Sequence, residues 1–503
     1  MINLNNIVEY IDLDNTNSVK VFHGLSNLLK ASYKEFPEEI NLLAIFFIDF
    51  LKLITHFQLK TREINNRVNL TEFSNSQLQQ YPYFGYSDLI SGFNLEEKEY
   101  GKNTALGFSA RKIFSKKDAY INYIDLSKRL FKKRSKRILF TGESGLSSKK
   151  HIDTIVDHAS LRTLNISHPW FFVPNFSDQV DFLSSHLESA LSPSFENSQV
   201  LKKIIKVCLN HATASISNED RSPKLNADFL ILGSGYELEN RMIASVAKRQ
   251  NIPVVNVIHG EGYGIYDEPG FGIFGEHMFS DYLLGYGAGA ILNKNQFSFE
   301  QNTNLKYIES NADTIIKSYD GPEVIQPPSR KINYYYFPTS YRGSQHRFGP
   351  FQDLPDALYI EWQNLLAKLF NDKLTMKLHP KEKYSFLTEL IKIRKIKKSY
   401  AEIEDRVDVF IFDYIGTAFN QACATNKPVV YFDLGLRNIS EHALSKIKKR
   451  TIYFDLRKEE IPTLKEIENR IFELEKINEL TINYSLTKNR KSRSQSLMDA
   501  LEV

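Results

Sequence analysis

The chain has 503 residues, 42% hydrophobic and 25% charged, which excludes a disordered protein and is too long for one ordinary domain. The formal net charge of +4 is small for that length and excludes a dedicated nucleic-acid binder, which concentrates far more basic charge. Two cysteines, Cys208 and Cys423, build no disulfide framework, and no Cys/His cluster has zinc-ligand spacing. No metal site is expected, and a reducing, cytoplasmic compartment fits best.

Residues 1–130 read as a mainly helical region that forms part of an acceptor-side domain. Leu25, Leu28, Leu29, Leu42, Leu43, Phe46 and Phe47 fall at helical spacings. The polar, acidic start shows no secretory signal, and Asp12 and Asp14 read as helix caps rather than as a metal pair. The apolar run Leu42–Ile48 is broken by Asp49, Lys52 and His56, well short of the roughly 20 apolar residues of a membrane span. From residue 131 to 320 the pattern changes to short apolar runs that end in small or polar residues. These are Arg137–Thr141, Trp170–Val173, Phe229–Leu232, Val254–Ile258 and Tyr282–Leu284. A polar stretch from Asp320 to Lys331 carries Pro322, Pro327 and Pro328 and is the best boundary in the chain. A second series spans 330–460, with strands expected at Asn333–Phe337, Leu374–Leu378, Val409–Phe412, Val429–Phe432 and Thr451–Phe454. Residues 461–503 form a C-terminal helix, with Leu464, Ile467, Ile471, Leu474 and Ile477 on one face, and a basic run from Lys488 to Arg493.

Strands that alternate with helices imply mostly parallel sheets. The fold class is therefore α/β: two facing Rossmann-like domains in the GT-B manner, with a mainly helical N-terminal region and C-terminal helices. Ligands of such sheets sit outside the carboxyl ends of the strands, so chemistry is sought in the loops that follow them.

The strongest cluster is Asp413-Tyr414-Ile415-Gly416-Thr417. A buried strand ends at Asp413, and a helix opens near Thr417. The helix start and the Thr417 hydroxyl can hold a phosphate, or Thr417 can serve only as the cap. Lys377-Leu378-His379-Pro380 delivers His379 to a strand end, where it can bind a phosphate oxygen or cap a turn. Pro338-Thr339-Ser340-Tyr341-Arg342 places two hydroxyls and a guanidinium after a strand, and Arg342 either pairs with phosphate or lies in solvent. In the first series the loop His259-Gly260-Glu261-Gly262 carries two candidate general bases. His259 is preferred because its ordinary pKa lies near neutrality. Gly233-Ser234-Gly235 and Gly142-Glu143-Ser144-Gly145 read as cleft-lining loops or plain turns. Leu238 stands where a dinucleotide fingerprint requires its third glycine.

Taken in order, Pro338 to Arg342, Lys377 to Pro380, Asp413 to Thr417 and Lys427-Pro428-Val429-Val430-Tyr431-Phe432 resemble the C-terminal half of the CDP-glycerol glycerophosphotransferase family and its bacterial capsule and surface-polysaccharide relatives. The resemblance covers roughly residues 330 to 435. Two departures stand out: Ile415-Gly416-Thr417 replaces the usual hydroxyl pair, and Ser340 and Tyr341 separate Thr339 from Arg342. The resemblance implies a nucleotide-donor site made by Thr339, Ser340, Arg342, Lys377, His379, Asp413, Gly416 and Thr417. It also implies a base at or near His259-Gly260.

The reading that follows is a glycosyltransferase. It moves a sugar from a CMP-, CDP- or UDP-linked donor to a surface-polysaccharide or lipid-linked acceptor. His259 or Glu261 acts as base, Gly233, Ser234 and Glu143 lie on the acceptor side, and no cofactor or metal takes part. The basic tail can touch an anionic membrane leaflet. Polyol-phosphate transfer, nucleotide-sugar epimerisation and non-catalytic sugar or nucleotide binding are the alternatives.

Overall fold

The computed structural model describes residues 119–126, 137–141, 159–166, 171–173, 176–191, 202, 205, 209, 216, 221–233, 238–257, 265–266, 278–285, 305–309, 324–328, 331–339, 356–371, 373–379, 391–436 and 438–474. They form two sheets. The first contains β1 (Ala119–Leu126), β2 (Arg137–Thr141), β3 (Ala159–Ile166), β4 (Phe229–Leu232), β5 (Val254–Val257), β6 (Tyr282–Gly285) and β7 (Lys306–Glu309), in the order β3-β1-β2-β4-β5-β6-β7. Strand β1 runs antiparallel to both neighbours, and β2, β4, β5, β6 and β7 are parallel. The second contains β8 (Tyr334–Tyr336), β9 (Leu374–Lys377), β10 (Arg394–Ile396), β11 (Val409–Phe412), β12 (Val429–Asp433) and β13 (Ile452–Asp455), all parallel, in the order β10-β9-β8-β11-β12-β13.

Continuous apolar runs make the central strands. Every residue of β4, β5, β11 and β12 is buried, as expected of parallel strands covered on both faces. The helices show the complementary spacing. In α1 (Phe176–Leu191) the buried positions Gln179, Leu183, Leu187 and Leu191 recur every four residues. Helix α2 (Leu238–Arg249) joins β4 to β5, α3 (Asp356–Leu369) joins β8 to β9, α4 (Thr417–Cys423) joins β11 to β12, and α5 (Glu441–Arg450) joins β12 to β13. The last described helix, α6 (Leu464–Phe472), opens on a capping box between Thr463 and Glu466 and buries Ile467 and Ile471.

One device recurs at the amino ends of the parallel strands. An aspartate just before a strand accepts the first amide of the neighbouring strand. Asp228 takes Arg137 N at 3.0 Å, Asp281 takes Val254 N at 2.8 Å, and Asp408 takes Asn333 N at 2.8 Å. Each aspartate amide returns a bond to a carbonyl of the same partner residue. The pairs fix register where no earlier ladder bond does so.

Every apolar run expected as a strand is one, except Trp170–Val173. Its described part, Phe171–Val173, forms no strand, only a single bridge at Phe172, although Phe171 and Val173 are buried. Four further strands, three of them at sheet edges, depart from the expectation. Strand β1 lies inside the span expected to be helical and joins the first sheet, and β3, β7 and β10 were not foreseen. Sequences such as Ala119-Tyr-Ile-Asn-Tyr-Ile-Asp-Leu126 and Arg394-Lys-Ile396 lack the two-sided apolar signal that central strands carry. The boundary segment Val324–Pro328 runs along the second unit, with Ile325 N on Asn426 O at 2.9 Å and Gln326 Nε2 on Leu474 O at 2.7 Å.

The second unit's core packs Phe337, Phe410, Phe412, Phe419 and Tyr431 between the sheet and α4. The far end of α4 is closed by Arg450, which is 1% exposed. Its guanidinium donates to Cys423 O (2.8 Å), Ala422 O (3.1 Å), Thr425 O (2.8 Å) and Lys427 O (3.1 Å). A cation at this carbonyl-rich end also meets the negative pole of the helix. Burial pushes the nearby Cys423 thiol up to about 12, so it is a packing residue and not a nucleophile. Arg450→Ala leaves those carbonyls buried without their donor. It is expected to cost about 3 kcal/mol in urea unfolding, with Arg450→Lys recovering less than half because one ammonium does not span four acceptors.

Candidate functional site

The strand order of the second sheet reverses once. From β8 the chain moves outward to β9 and β10, then returns to the other side of β8 for β11, β12 and β13. The helices that follow β8 and β11 therefore leave in opposite directions, and a crevice opens at the carboxyl ends between these two strands. The parallel strands of the first sheet step one way only, from β2 to β7. No such reversal occurs among them.

Five of the candidate donor residues are brought to this edge. Thr339 lies three residues past β8 and is half-buried. Lys377 ends β9, and His379 follows two residues on, half-buried. Gly416 and Thr417 follow β11 at the start of α4. Gly416, not Thr417, is the N-cap. No side chain caps the helix, and Thr417 is exposed on its first turn. A Cβ at Gly416 would meet the Tyr414 ring at 2.9 Å, so the turn admits only glycine without a shift of that ring. Ser340 and Arg342 lie outside the described residues, as do His259, Glu261, Ser234 and Glu143. Gly233 directly follows β4 in the first sheet, with its amide on Thr141 O at 2.9 Å.

Asp413 does not face a ligand. It is 1% exposed and points to the α3 side of the sheet, where three side chains donate to it. Tyr336 Oη reaches Oδ2 at 2.5 Å, Trp362 Nε1 reaches Oδ2 at 2.7 Å, and Tyr359 Oη reaches Oδ1 at 3.1 Å. Tyr359 Oη in turn accepts the Thr339 amide at 3.1 Å. Asp413 thus positions the crevice: through Tyr359 it ties the end of β11 to the turn after β8. Sequence reasoning missed the three donors. The signal was present as polar-tipped aromatics at helical spacing, Tyr359 and Trp362, beside the aromatic strand Tyr334–Tyr336. Such tips, when buried, require an acceptor.

Burial raises Asp413 from 3.8 to about 6, against the pull of its three donors. Burial also lowers Lys377 below the usual lysine value. Lys377 is 6% exposed. Among the described residues its ammonium makes one long contact, to Leu378 O at 3.4 Å, and no ion pair. Strand alternation places Lys377 on the Phe337 face of the sheet and Asp413 on the opposite face. The remaining acids at this edge are already engaged. Asp433 accepts from Tyr453, from Gly435 N at 2.8 Å and from Arg457, which also binds Asp455 at 3.0 Å. Gly435, at φ 75°, adopts the left-handed conformation that this knot requires. No group of three His, Cys, Asp or Glu side chains able to hold a metal occurs among the described residues.

The Asp413 network has two proton arrangements. Ionised, the carboxylate takes both tyrosine protons. Protonated on Oδ1, it donates to Tyr359, whose own proton turns to Tyr336 Oη, 3.0 Å away. Asp413→Asn reproduces the second arrangement, with its amide group donating to Tyr359. Asp413→Ala strips Trp362 and both tyrosines of an acceptor and is expected to cost on the order of 3 kcal/mol. Native Asp413 keeps its proton where the unfolded carboxyl has lost it, so wild type gains stability relative to the Asn variant as pH falls from about 6 towards 4. The expected gain is about 2–3 kcal/mol. Urea unfolding of both proteins at several pH values reads this, and a pH-independent difference would contradict it.

Comparison with the known protein families and with curated proteins finds no match for this chain, and the chemistry of the crevice is read from its own residues.

Proposed function

We propose that the chain is a transferase that binds a nucleotide-activated donor in the crevice between β8 and β11. The observation that carries this reading is the reversal of strand order there, with the buried ammonium of Lys377 on the adjoining strand, which has no ion pair among the described residues. A dianionic phosphate group supplies the counter-charge that Lys377 lacks. Its leaving charge is stabilised by donors fixed in place before the reaction, Lys377, His379 and the backbone after Gly416. The strand-end motifs and their order favour glycosyl transfer to a surface-polysaccharide or lipid-linked acceptor. In this reading the two units face one another in the GT-B manner. His259 or Glu261, on the loop after β5, takes the proton of the attacking hydroxyl. The enzyme works in the cytoplasm, with its basic tail against an anionic leaflet. Among the described residues no helix is long and apolar enough to cross a membrane.

Thermal unfolding with CMP, CDP, UDP, GDP and their sugar or glycerol conjugates tests the donor site. A ligand present at 100 times its Kd stabilises the native state by about 2.7 kcal/mol. One nucleotide series is expected to raise the Tm, and Lys377→Met is expected to weaken that ligand at least about tenfold, the value of one charge-assisted hydrogen bond. Because burial lowers Lys377, affinity falls at a lower pH than an ordinary lysine dictates. Absence of any shift at millimolar nucleotide overturns the reading. A shift without transfer to any acceptor leaves a non-catalytic binding protein.

A further inference from the structure

The connection from β5 to β6 begins and ends in the first sheet, yet two of its residues belong to the core of the second unit. Ile265 is 0% and Tyr266 3% exposed, packed with Phe412, Ile415, Phe419 and Ile447. Their backbone joins the second unit as well. Tyr266 pairs with Ile439 in an antiparallel bridge, and Ser440, the N-cap of α5, donates its amide to Ile265 O at 2.8 Å. The Tyr266 hydroxyl crosses to the crevice side and donates to Ile415 O at 3.3 Å.

That carbonyl has a particular need. The first backbone bond of α4 runs from Asn420 N to Gly416 O, so Ile415 O stands outside the helical ladder. Ile415 is itself buried, so the carbonyl is shut away from bulk solvent. A buried carbonyl without a donor is costly, and the simplest relief is rotation of the Ile415–Gly416 peptide. The same rotation swings the Gly416 amide, and with it the start of α4, away from its present direction.

We infer that Tyr266 is a positioning residue for the crevice: its hydroxyl locks the Ile415–Gly416 peptide and so couples the β5–β6 connection of the first sheet to the Gly416–Thr417 turn of the second. The inference rests on the reading of that crevice as the donor site for its consequence, but not for its geometry. Among the described residues the chain of the first unit meets the second through Ile265–Tyr266 as well as along the boundary segment Val324–Pro328. A change in the second junction reaches the crevice without passing through the boundary segment.

Tyr266→Phe in the full-length protein keeps the ring and removes only the hydroxyl. Tyr431→Phe is the control, because Tyr431 sits in the same core and no bond from it to Ile415 is seen. Hydrogen exchange followed by mass spectrometry, without nucleotide, is expected to show residues 414–420 of Tyr266→Phe exchanging about tenfold faster, the value of one hydrogen bond. The β12 strand and the control variant keep wild-type exchange. Wild-type exchange at 414–420 in Tyr266→Phe overturns the inference, and so does equal acceleration in the control, which would mark a packing effect alone. The nucleotide series that shifts the wild-type Tm is then titrated against Tyr266→Phe, with a Kd about tenfold higher expected and an unchanged Kd counting against the coupling. If no nucleotide binds the wild type, the donor reading fails while the exchange result still decides the role of Tyr266.

Discussion

The second unit is organised around one strand held at both ends by an aspartate. In Asp408-Val-Phe-Ile-Phe-Asp413 the first carboxylate pins the amino end of β11 to Asn333, and the last pins its carboxyl end to Tyr336, Tyr359 and Trp362. The two ends are chemically different. Asp408 is only half-buried, and its bonds fix register at less energetic risk. Asp413 is buried, so its charge is tolerable only while every donor stays in place. Because one of those donors also holds the Thr339 amide, the geometry of the crevice and the solvation of this carboxylate are a single problem. Loosening the turn after β8 withdraws a partner from Asp413, and loosening Asp413 frees the turn.

The same contrast separates the two edges of both sheets. At the amino ends, aspartates satisfy the first amides of neighbouring strands and leave short, closed turns. At the carboxyl ends of the second sheet Asp413 and Asp433 each take several donors, while Lys377 has one long contact among the described residues. There the strand order also opens a gap, but only in the second sheet. Arg457 closes the β12–β13 end of that edge by neutralising Asp433 and Asp455 together. What remains is the stretch from β9 to β11.

Much of this was legible in the chain. Central strands announce themselves because two-sided burial demands uninterrupted apolar runs, and nine of the ten expected runs are strands of the two sheets. The three segments that carry the site read correctly as strand ends, since Pro338, Pro380 and Gly416 punctuate them. Edge strands did not announce themselves. Strand β10 is three residues long with two basic side chains, and nothing in its sequence distinguishes it from a loop. The role of Asp413 was misread for a different reason. Sequence shows that an acid ends a buried strand, but only the fold shows which face it takes and that Tyr359 and Trp362, some fifty residues away, arrive there. The docking of Ile265 and Tyr266 was invisible on the same ground: two large residues in a glycine-rich stretch carry no address.

The period-2 alternation of strands decides the electrostatics of the crevice. Lys377 and Asp413 sit at the ends of the two strands that flank β8, on opposite faces of the sheet. Phe337 and Phe412 stack at 5.1 Å on the Lys377 side, while the Asp413 side is lined by Tyr336 and α3. The sheet itself keeps the buried cation from the buried anion. Each must then be stabilised separately, and the protein treats them unequally. Asp413 receives three donors from within the fold, whereas Lys377 receives one long contact and a lowered proton affinity. A negative charge close to Lys377 would favour its protonated form and offset the cost of its burial. The desolvated ammonium, set on the Phe337 face, is therefore a buried cation that the fold leaves without an ion pair among the described residues of this edge.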